Sequence, residues 1–589
     1  MTTRFGPLVS PAGTRFRLFA PQLGSAEVVI RGGAMVPMTP AGDGFLECQM
    51  ANCPPGTRYK FRVGTLEFPD LASRQQDDDT NGWSIVREPM RAVEPTKTVR
   101  PWHEAVICEV HIGTVTPEGT YAGLMDRLEH FRDAGYTVLE LMPVNEFPGR
   151  RNWGYDGTLI FAPETAYGTP EELRALVDRA HRLGLGMVLD VVFNHFGSDD
   201  NYVAQYASEW FDESIETPWG AAVDFSNESI RQFYFENARM WLTEYDFDGL
   251  RLDAVHEIKT DGSADFLADF ARVCRNAKPA AWLIAENEQN RATLLARGTG
   301  DHDPLAFTAQ WNDDIHHVLN FLATNESRDG YEDRTRDPIA DLEKGLADGF
   351  VHDGDAGKGS DGRTRGEPGS WQPPTAYIAF LQDHDQIGNR PDGKRLPDRV
   401  SPRKLDFLQL VVLLNPQIPM FFMGEEASIG SLFPYFVDLD ESLAIARRQG
   451  REEAMKSMYV SADEAATLPD PNAEATFLSA KIPWDEYGQE ERQAGLQRFQ
   501  TLTRWRRELV WPLLATNCQL AKSARQGNAL IVNWLFDAGT LSMALNPTDQ
   551  VADMSCLVTD RPVTTGDFDQ NGEVLRLAPW SAVGWVNRG

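Results

Sequence analysis

Gly249–Glu257 reads GLRLDAVHE. Leu250, Leu252 and Ala254 alternate with Arg251, Asp253 and, as the chain turns away, His256, so the run reads as a short apolar strand with a polar end. Every second residue of a strand faces the same way, which puts Arg251 and Asp253 on one side. Charged side chains inside a strand need partners, because an unpaired buried charge is costly. A structural ion pair would satisfy them locally. Three other apolar runs end the same way, and that repetition points to a shared site.

Those runs are DVVFNH (Asp190–His195), LIAENE (Leu283–Glu288) and FLQDHDQ (Phe380–Gln386). They belong to a series of eight strand candidates: Val106–His111, Thr137–Val144, Gly186–Asn194, Gly249–Val255, Trp282–Glu286, Phe307–Trp311, Tyr377–Asp385 and Ile418–Gly424. Amphipathic stretches such as Glu171–Leu183, Ile230–Tyr245, Ala264–Asn276, Ile315–Thr324 and Arg403–Leu414 lie between them. Eight strands alternating with helices predict an α/β chain whose centre is a (β/α)8 TIM-type barrel. No GxGxxG follows the first strand, which argues against a dinucleotide-binding open sheet.

In such a barrel the C-terminal strand ends gather over one mouth. Asp253, Glu286 and Asp385 then meet although they are distant in sequence. Carboxylates around one cavity repel, which raises the pKa of at least one and keeps it protonated near neutral pH. Glycoside cleavage needs that combination: one acid for the leaving oxygen and one ionised carboxylate facing the anomeric carbon. Arg251, beside Asp253, would keep that carboxylate charged, and His195 and His384 can donate to sugar hydroxyls. A metal site competes for the same residue types, but no HExxH or close histidine pair supports it. No metal and no cofactor is expected.

The bulk composition agrees. The 589 residues exceed what one core can serve. Lys and Arg number 56 against 87 Asp and Glu, a net charge of −31, which disfavours nucleic acid and anionic membranes and suits a neutral ligand. Six scattered cysteines without a CxxC pair read as reduced thiols, and no run reaches the length of a membrane span or signal core, so a cytoplasmic location is expected.

On either side of the barrel the pattern changes. Thr14 to Arg87 carries short alternating runs (RFRLFAP, AEVVIRG, GFLECQM, RYKFRV) between turn signals, the pattern of an antiparallel sandwich. The charge run QQDDDT (Gln75–Thr80) reads as a solvated loop. Asp329–Ser370, polar and Gly-rich, reads as an insertion between barrel elements, and the helical run Leu439–Met458 as a second one after the eighth strand. Beyond a helix at Gln497–Val510, the runs ALIVNWLF, LSMALNP and VLRLAPWSAVGWV predict an all-β end. The division expected is an N-terminal β-sandwich over 1–100, a catalytic barrel with insertions over 101–511 and a C-terminal β-domain over 512–589.

The four strand-end segments, in their order and spacing, resemble the four signature regions of the α-amylase family of glycoside hydrolases. The resemblance spans nearly the whole chain, since members of that family often carry an N-terminal sandwich of immunoglobulin-like, carbohydrate-binding type and a C-terminal β-domain. It implies that Asp253 is the nucleophile, Glu286 the general acid/base and Asp385 the third carboxylate, in a retaining reaction through a covalent glycosyl-enzyme. EVHIGTVTPEGTY (Glu109–Tyr121), ELMPVNEFPGRRNWGYDG (Glu140–Gly157), LDAVHEI (Leu252–Ile258), AQWNDDIHH (Ala309–His317), QDHDQIGNR (Gln382–Arg390), FFMGEE (Phe421–Glu426) and PDLASRQQ (Pro69–Gln76) are similar to the trehalose-releasing branch of that family. The implied partner is an oligosaccharide, maltooligosyltrehalose or a related α-glucan.

By the same resemblance Tyr155 stacks on the sugar at the cleaved bond, and Trp311, Asn312, Asp313 and Asp314 form a strip of contacts on the trehalose side. Asn312 or Asp313 also suits the N-cap of the helix that follows, and the two roles are compatible. Gln386 and Asn389 resemble substrate contacts, although Asn389 after Gly388 is also ordinary turn chemistry. Trp219 would form an aromatic wall. His256 admits two readings, facing the cavity or packed behind the strand end, while Asp190 and Asn194 orient the loop carrying His195. Asp383 stands where the family usually has Asn, and DDDTNGWSIV and Val351–Pro368 depart from the branch's segments, which bears on loop-built subsites. A branching enzyme or maltooligosaccharide-forming amylase would share the triad, and a glucan-binding protein without catalysis would not need it.

Overall fold

The computed structural model describes residues 4–92, 100–259, 265–298, 300–326, 337–354, 364–458, 468–559 and 561–588. Eight parallel strands close a barrel: Ile107–Val110, Val138–Leu141, Gly186–Val191, Gly249–Leu252, Trp282–Ala285, Ala309–Trp311, Tyr377–Phe380 and Ile418–Phe422. Each pairs with the next, and the eighth returns to the first. Every expected strand is present but shorter than its run: the polar tails of most leave the ladder and turn over the mouth, and the sixth loses Phe307 and Thr308 at its start.

Local chemistry sets the helix starts. Thr169 and Glu172 form a reciprocal capping box at Pro170–Arg182, and Asn227 and Ser401 cap Glu228–Thr243 and Pro402–Leu414. The barrel interior has two tiers. The lower one is apolar, built from Ile107, Val138, Val188, Ile284, Phe380 and Met420 with Trp282 and Trp311. Two residues further along the strands the inward positions are charged: Glu140 lies opposite Glu109, and Asp190 opposite Arg251.

The N-terminal region is an antiparallel assembly of eight strands between Leu8 and Ile85. Met35–Gly42, which its two prolines conceal in the sequence, pairs through Met35–Met38 with Ala26–Val29 and through Thr39–Gly42 with Phe45–Glu47. The Gln75–Thr80 stretch is not a solvated loop. Gln76 and Thr80 are buried, Asp77 pairs with Arg31 and Arg58 of the N-terminal sheets, and Asp79 accepts from the Gly149 backbone while Thr80 donates to Asp200, so the segment ties the N-terminal region to the barrel loops.

Two other stretches carry detail that their sequence pattern leaves open. Asp329–Ser370 falls between the sixth and seventh barrel strands, as an insertion would, and within it Pro338–Asp348 is a helix capped by Asp337, with Ile339, Leu342 and Leu346 buried. Gly345 lets this helix approach Ile315 closely, since a Cβ there would stand 2.6 Å from Ile315 Cδ1. Residues 329–336 and 355–363 of that stretch lie outside the described residues. At the C-terminal end, VLRLAPWSAVGWV splits at Trp580, whose φ is 49°, into Val574–Leu577 in a three-stranded sheet and Ser581–Asn587 in a five-stranded one. The five-stranded sheet begins with Cys518–Gln526, an exposed edge strand with no apolar alternation to betray it.

The helix Glu490–Trp505 continues into a π turn, Arg506–Val510, that fastens the end of the barrel region. The fully buried Arg506 guanidinium donates to the carbonyls of Leu413, Asn415 and Gln417 at 2.8, 2.7 and 2.7 Å. Arg506→Leu strands three buried acceptors and should lower stability by about 2–3 kcal/mol in denaturant titration. An unchanged midpoint would refute this anchoring role.

Candidate active site

Arg251 occupies the centre of the mouth with a side-chain exposure of 1%. Its Nη1 reaches Asp190 Oδ2 at 2.7 Å and Asp253 Oδ1 at 3.0 Å, and its Nη2 reaches Glu286 Oε2 at 2.8 Å. The guanidinium lies 4.0 Å above the Trp311 ring, which forms its floor. One fork-shaped cation thus joins the third, fourth and fifth strands. The chain turns immediately afterwards through Ala254 in the left-handed region (φ 38°), a strained choice for a residue with a Cβ. That turn aims the Ala254 N–H at Glu286 Oε2, 3.0 Å away.

Asp253 also accepts from Asn194 Nδ2 at 3.2 Å and stands within hydrogen-bonding reach of Glu286. The two carboxyls titrate as a pair around one proton. Burial, and then the Glu286 charge, push Asp253 well above the usual carboxylate range despite Arg251. Burial acts the same way on Glu286, but Arg251 and the Ala254 N–H outweigh it and hold Glu286 below its ordinary value. In the free site the two carboxyls therefore hold one proton between them.

Asp385 lies at the seventh strand end with 47% of its side chain exposed, and Asn389 Nδ2 donates to its Oδ1 at 3.1 Å. His384 is a buried imidazolium: Nδ1 meets Glu109 Oε1 at 2.5 Å and Nε2 lies 3.7 Å from Asp385. Burial lowers its pKa, but Glu109, Asp385 and Asp383 prevail and lift it to about 10. Tyr155 stacks on the His384 ring at 4.9 Å and donates to Asp190 Oδ2 at 2.5 Å. Asp383 caps the turn of helix that begins at His384, accepting from Gln386 N at 2.8 Å, as either Asn or Asp can. Burial, aided by Glu109 and Asp385 and opposed by His384, raises its carboxyl to about 8.

Other expected contacts lie elsewhere. His195 does not offer a free nitrogen to a sugar: Nε2 is 3.0 Å from the Tyr155 carbonyl and Nδ1 3.0 Å from Asn194 Oδ1. It links those residues and stacks on the half-exposed Trp219 at 4.3 Å, at the tip of the hairpin Phe211–Val223. Trp311, Asn312 and Asp314 are closed off from the mouth. Asn312 starts the Asp313–Thr324 helix without a side-chain cap and donates instead to the Gly349 carbonyl and Gln417. Asp314 Oδ2 accepts from Asn290 Nδ2 and from the Val351 and His352 backbones, all at 2.9 Å, and thereby fastens the insertion. Of that strip only Asp313 remains partly exposed. Burial, Glu286 and Asp383 raise its pKa well above the usual range. His256 is partly exposed beside Glu286, with Nδ1 3.4 Å from the Glu288 backbone nitrogen, and Gln386 reaches the buried His316.

Glu109 and Glu140 carried no role in the sequence reading. A lone carboxylate in ICEV and another in VLEL were the available signal, by the same period-two argument that singles out Arg251. Glu140 has 1% exposure, no hydrogen-bond partner for either oxygen among the described residues, and a pKa raised well above normal by burial. Among the described residues no group of His, Cys, Asp and Glu is arranged to hold a metal ion, no helix is long and apolar enough to cross a membrane, and all six cysteines are free.

Comparison with known proteins places this geometry. The profile of the α-amylase catalytic domain matches residues 71–219. The malto-oligosyltrehalose trehalohydrolase of Deinococcus radiodurans is 36% identical over 515 residues, covering 86% of this chain and 83% of its own. The protein of the same name from Saccharolobus solfataricus is 34% identical, covering 82% and 83%. A crystal structure of a putative α-amylase from Salmonella typhimurium superposes over 100% of both chains with a TM-score of 0.93 and 34% identity. A pullulanase from Paenibacillus barengoltzii, solved with maltohexaose and α-cyclodextrin, shares the fold at 15% identity, with a TM-score of 0.69 over 100% of this chain and 96% of its own.

Removing the central cation tests the electrostatics. Arg251→Met leaves buried carboxyls without compensation and should cost about 3–5 kcal/mol of stability at pH 7. Without the cation, the raised pKa values of Asp190 and Asp253 rise further, so the folded state binds more protons than the unfolded one. Stability of the variant must then fall as pH rises, and its deficit against the unaltered protein should shrink toward pH 5. Denaturant titrations showing equal deficits at both pH values would contradict this.

Proposed function

Since the chain belongs to the malto-oligosyltrehalose trehalohydrolases of the α-amylase family, we propose that it hydrolyses the α-1,4 bond next to the trehalose end of a maltooligosyl chain and releases trehalose. The observation that carries the mechanism is Arg251 bonded to both Asp253 and Glu286 at adjacent strand ends, with Asp385 on the seventh strand.

A sugar entering the mouth separates Asp253 from Glu286. The proton that the pair shares then stays with Glu286, the member that faces the leaving oxygen. Asp253, left ionised and held by Arg251 and Asn194, attacks the anomeric carbon while Glu286 protonates the departing oxygen. Trehalose leaves. Glu286, now a carboxylate, takes a proton from water, and the water oxygen displaces Asp253 with net retention. Asp385, steadied by Asn389 and the His384 imidazolium, binds the sugar ring on which positive charge develops, and Tyr155 stacks against that ring. Because the acid stands at the leaving group, residues around Glu286 (Asp313 and His256) face trehalose. The free cysteines favour a cytoplasmic site of action.

Asp253→Ala should fold normally and lose essentially all turnover, a fall of many powers of ten. Near-normal activity would remove Asp253 from the nucleophile role. Glu286→Gln should regain rate on a glycosyl fluoride, whose leaving group needs no proton. Absence of rescue would move the acid role to another carboxyl.

Substrate choice is tested by product analysis on maltohexaose and, separately, on the same chain ended by trehalose. Free trehalose from the second, with slow or no cleavage of the first, is the expected outcome. Equal attack on both would mean a general α-glucan hydrolase, and no product from either would mean glucan binding without catalysis.

A further inference from the structure

The helix Glu441–Met458 follows the eighth barrel strand and has no part in the chemistry above. Arg447 and Arg451, four residues apart, lie on one face of it with about 5–6 Å between their Cβ atoms. Arg447 Nη2 is 2.8 Å from Asp156 Oδ1. Asp156 directly follows Tyr155, and its other oxygen accepts from Asn152 Nδ2 at 2.9 Å. Arg451 Nη2 donates to the Gly388 carbonyl at 2.6 Å. Gly388 ends the turn of helix that begins at His384, where unpaired carbonyls favour a cation. The next residue, Asn389, is the one that holds Asp385.

The same turn is pressed from the other side. A Cβ on Gly388 would stand 2.0 Å from Trp153 Cζ2, so only glycine admits that indole, which meets the His384 ring edge-on at 5.3 Å. Arg451 also covers the Tyr435 ring at 5.1 Å, and Tyr435 packs edge-to-face on Trp153 at 5.1 Å. Ala444 and Met455 are buried, so the helix is packed against the protein at both ends of this contact. The loops it joins follow the second and seventh strands, with the eighth and first strands between them.

We propose that Arg447 and Arg451 are positioning residues: through them the helix after the eighth strand clamps the Tyr155 loop to the Asp385 turn and sets the width of the subsite holding the sugar ring being cut. The inference rests on the roles assigned above to Tyr155 and Asp385. Both must stay in register with one flattened ring as charge develops on it, and a displacement of about 1 Å costs about a hundredfold in rate. Arg447 and Arg451 act through Asp156 and the Gly388 carbonyl.

The test compares Arg447→Ala, Arg451→Ala, the double variant and Arg451→Lys with the unaltered protein. Kinetics are measured on whichever of maltohexaose or its trehalose-ended counterpart the unaltered protein cuts, so a wrong substrate assignment does not count against the clamp. The double variant should lose about a hundredfold in kcat while KM changes less than about threefold, with a melting temperature within about 3 °C of the original. Arg451→Lys, which keeps the cation, should recover most of the loss of Arg451→Ala. Amide hydrogen exchange reads the clamp without turnover: residues 153–157 and 384–390 should exchange faster in the double variant. Unchanged exchange in those segments would overturn the proposal, as would a loss of kcat accompanied by faster exchange throughout the barrel.

Discussion

The mouth of the barrel depends on one buried cation. Arg251 is bonded to Asp190, Asp253 and Glu286, which sit on three adjacent strands, and it rests on the face of Trp311. Such a cluster is expensive to desolvate, and the strands beneath it gain nothing from a charge that a leucine would not give them more cheaply. Its value is positional. The planar fork fixes two carboxyls relative to each other, the strained Ala254 turn adds a backbone donor to one of them, and Tyr155 is brought in through Asp190. Side chains from distant parts of the sequence acquire a common reference point.

What the sequence revealed and what it withheld follow from the range of the interactions. Strand alternation is local, so Arg251, Asp253, Glu286 and Asp385 stood out as charges at the ends of apolar runs, and the eight-strand barrel followed from their repetition. Cys518–Gln526 escaped because an edge strand exposed on both faces owes its form to hydrogen bonds with Ala529–Phe536 rather than to apolar periodicity. Asp314 looked like a substrate contact, yet its oxygens are taken by an insertion whose backbone arrives 37 and 38 residues later. Arg447 is 291 residues from its partner Asp156, and nothing within either segment signals the pairing. His195 was placed at the mouth by its segment, but only the folded chain shows that both ring nitrogens are already engaged.

Charge accounting in the mouth connects these features to the ligand. Glu109, Glu140, Asp190, Asp253, Glu286, Asp313, Asp383 and Asp385 crowd around two buried cations, Arg251 and His384. Eight anions could not coexist there. Burial raises the pKa of Glu140, Asp190, Asp253, Asp313, Asp383 and Asp385, so each of them holds a proton more readily than an exposed carboxyl, while Glu286 stays low because Arg251 and Ala254 hold it. The mouth is therefore far less negative than its composition, and than the net charge of −31 on the whole chain, would suggest. A neutral oligosaccharide meets hydroxyl and carboxyl groups that can donate as well as accept, and an anionic ligand meets the surrounding negative field. The same proton retention gives the chemistry its acid. In the proposed mechanism a single proton, held between Asp253 and Glu286 in the free site, would by going to Glu286 both leave Asp253 ionised for attack and arm Glu286 for the leaving oxygen.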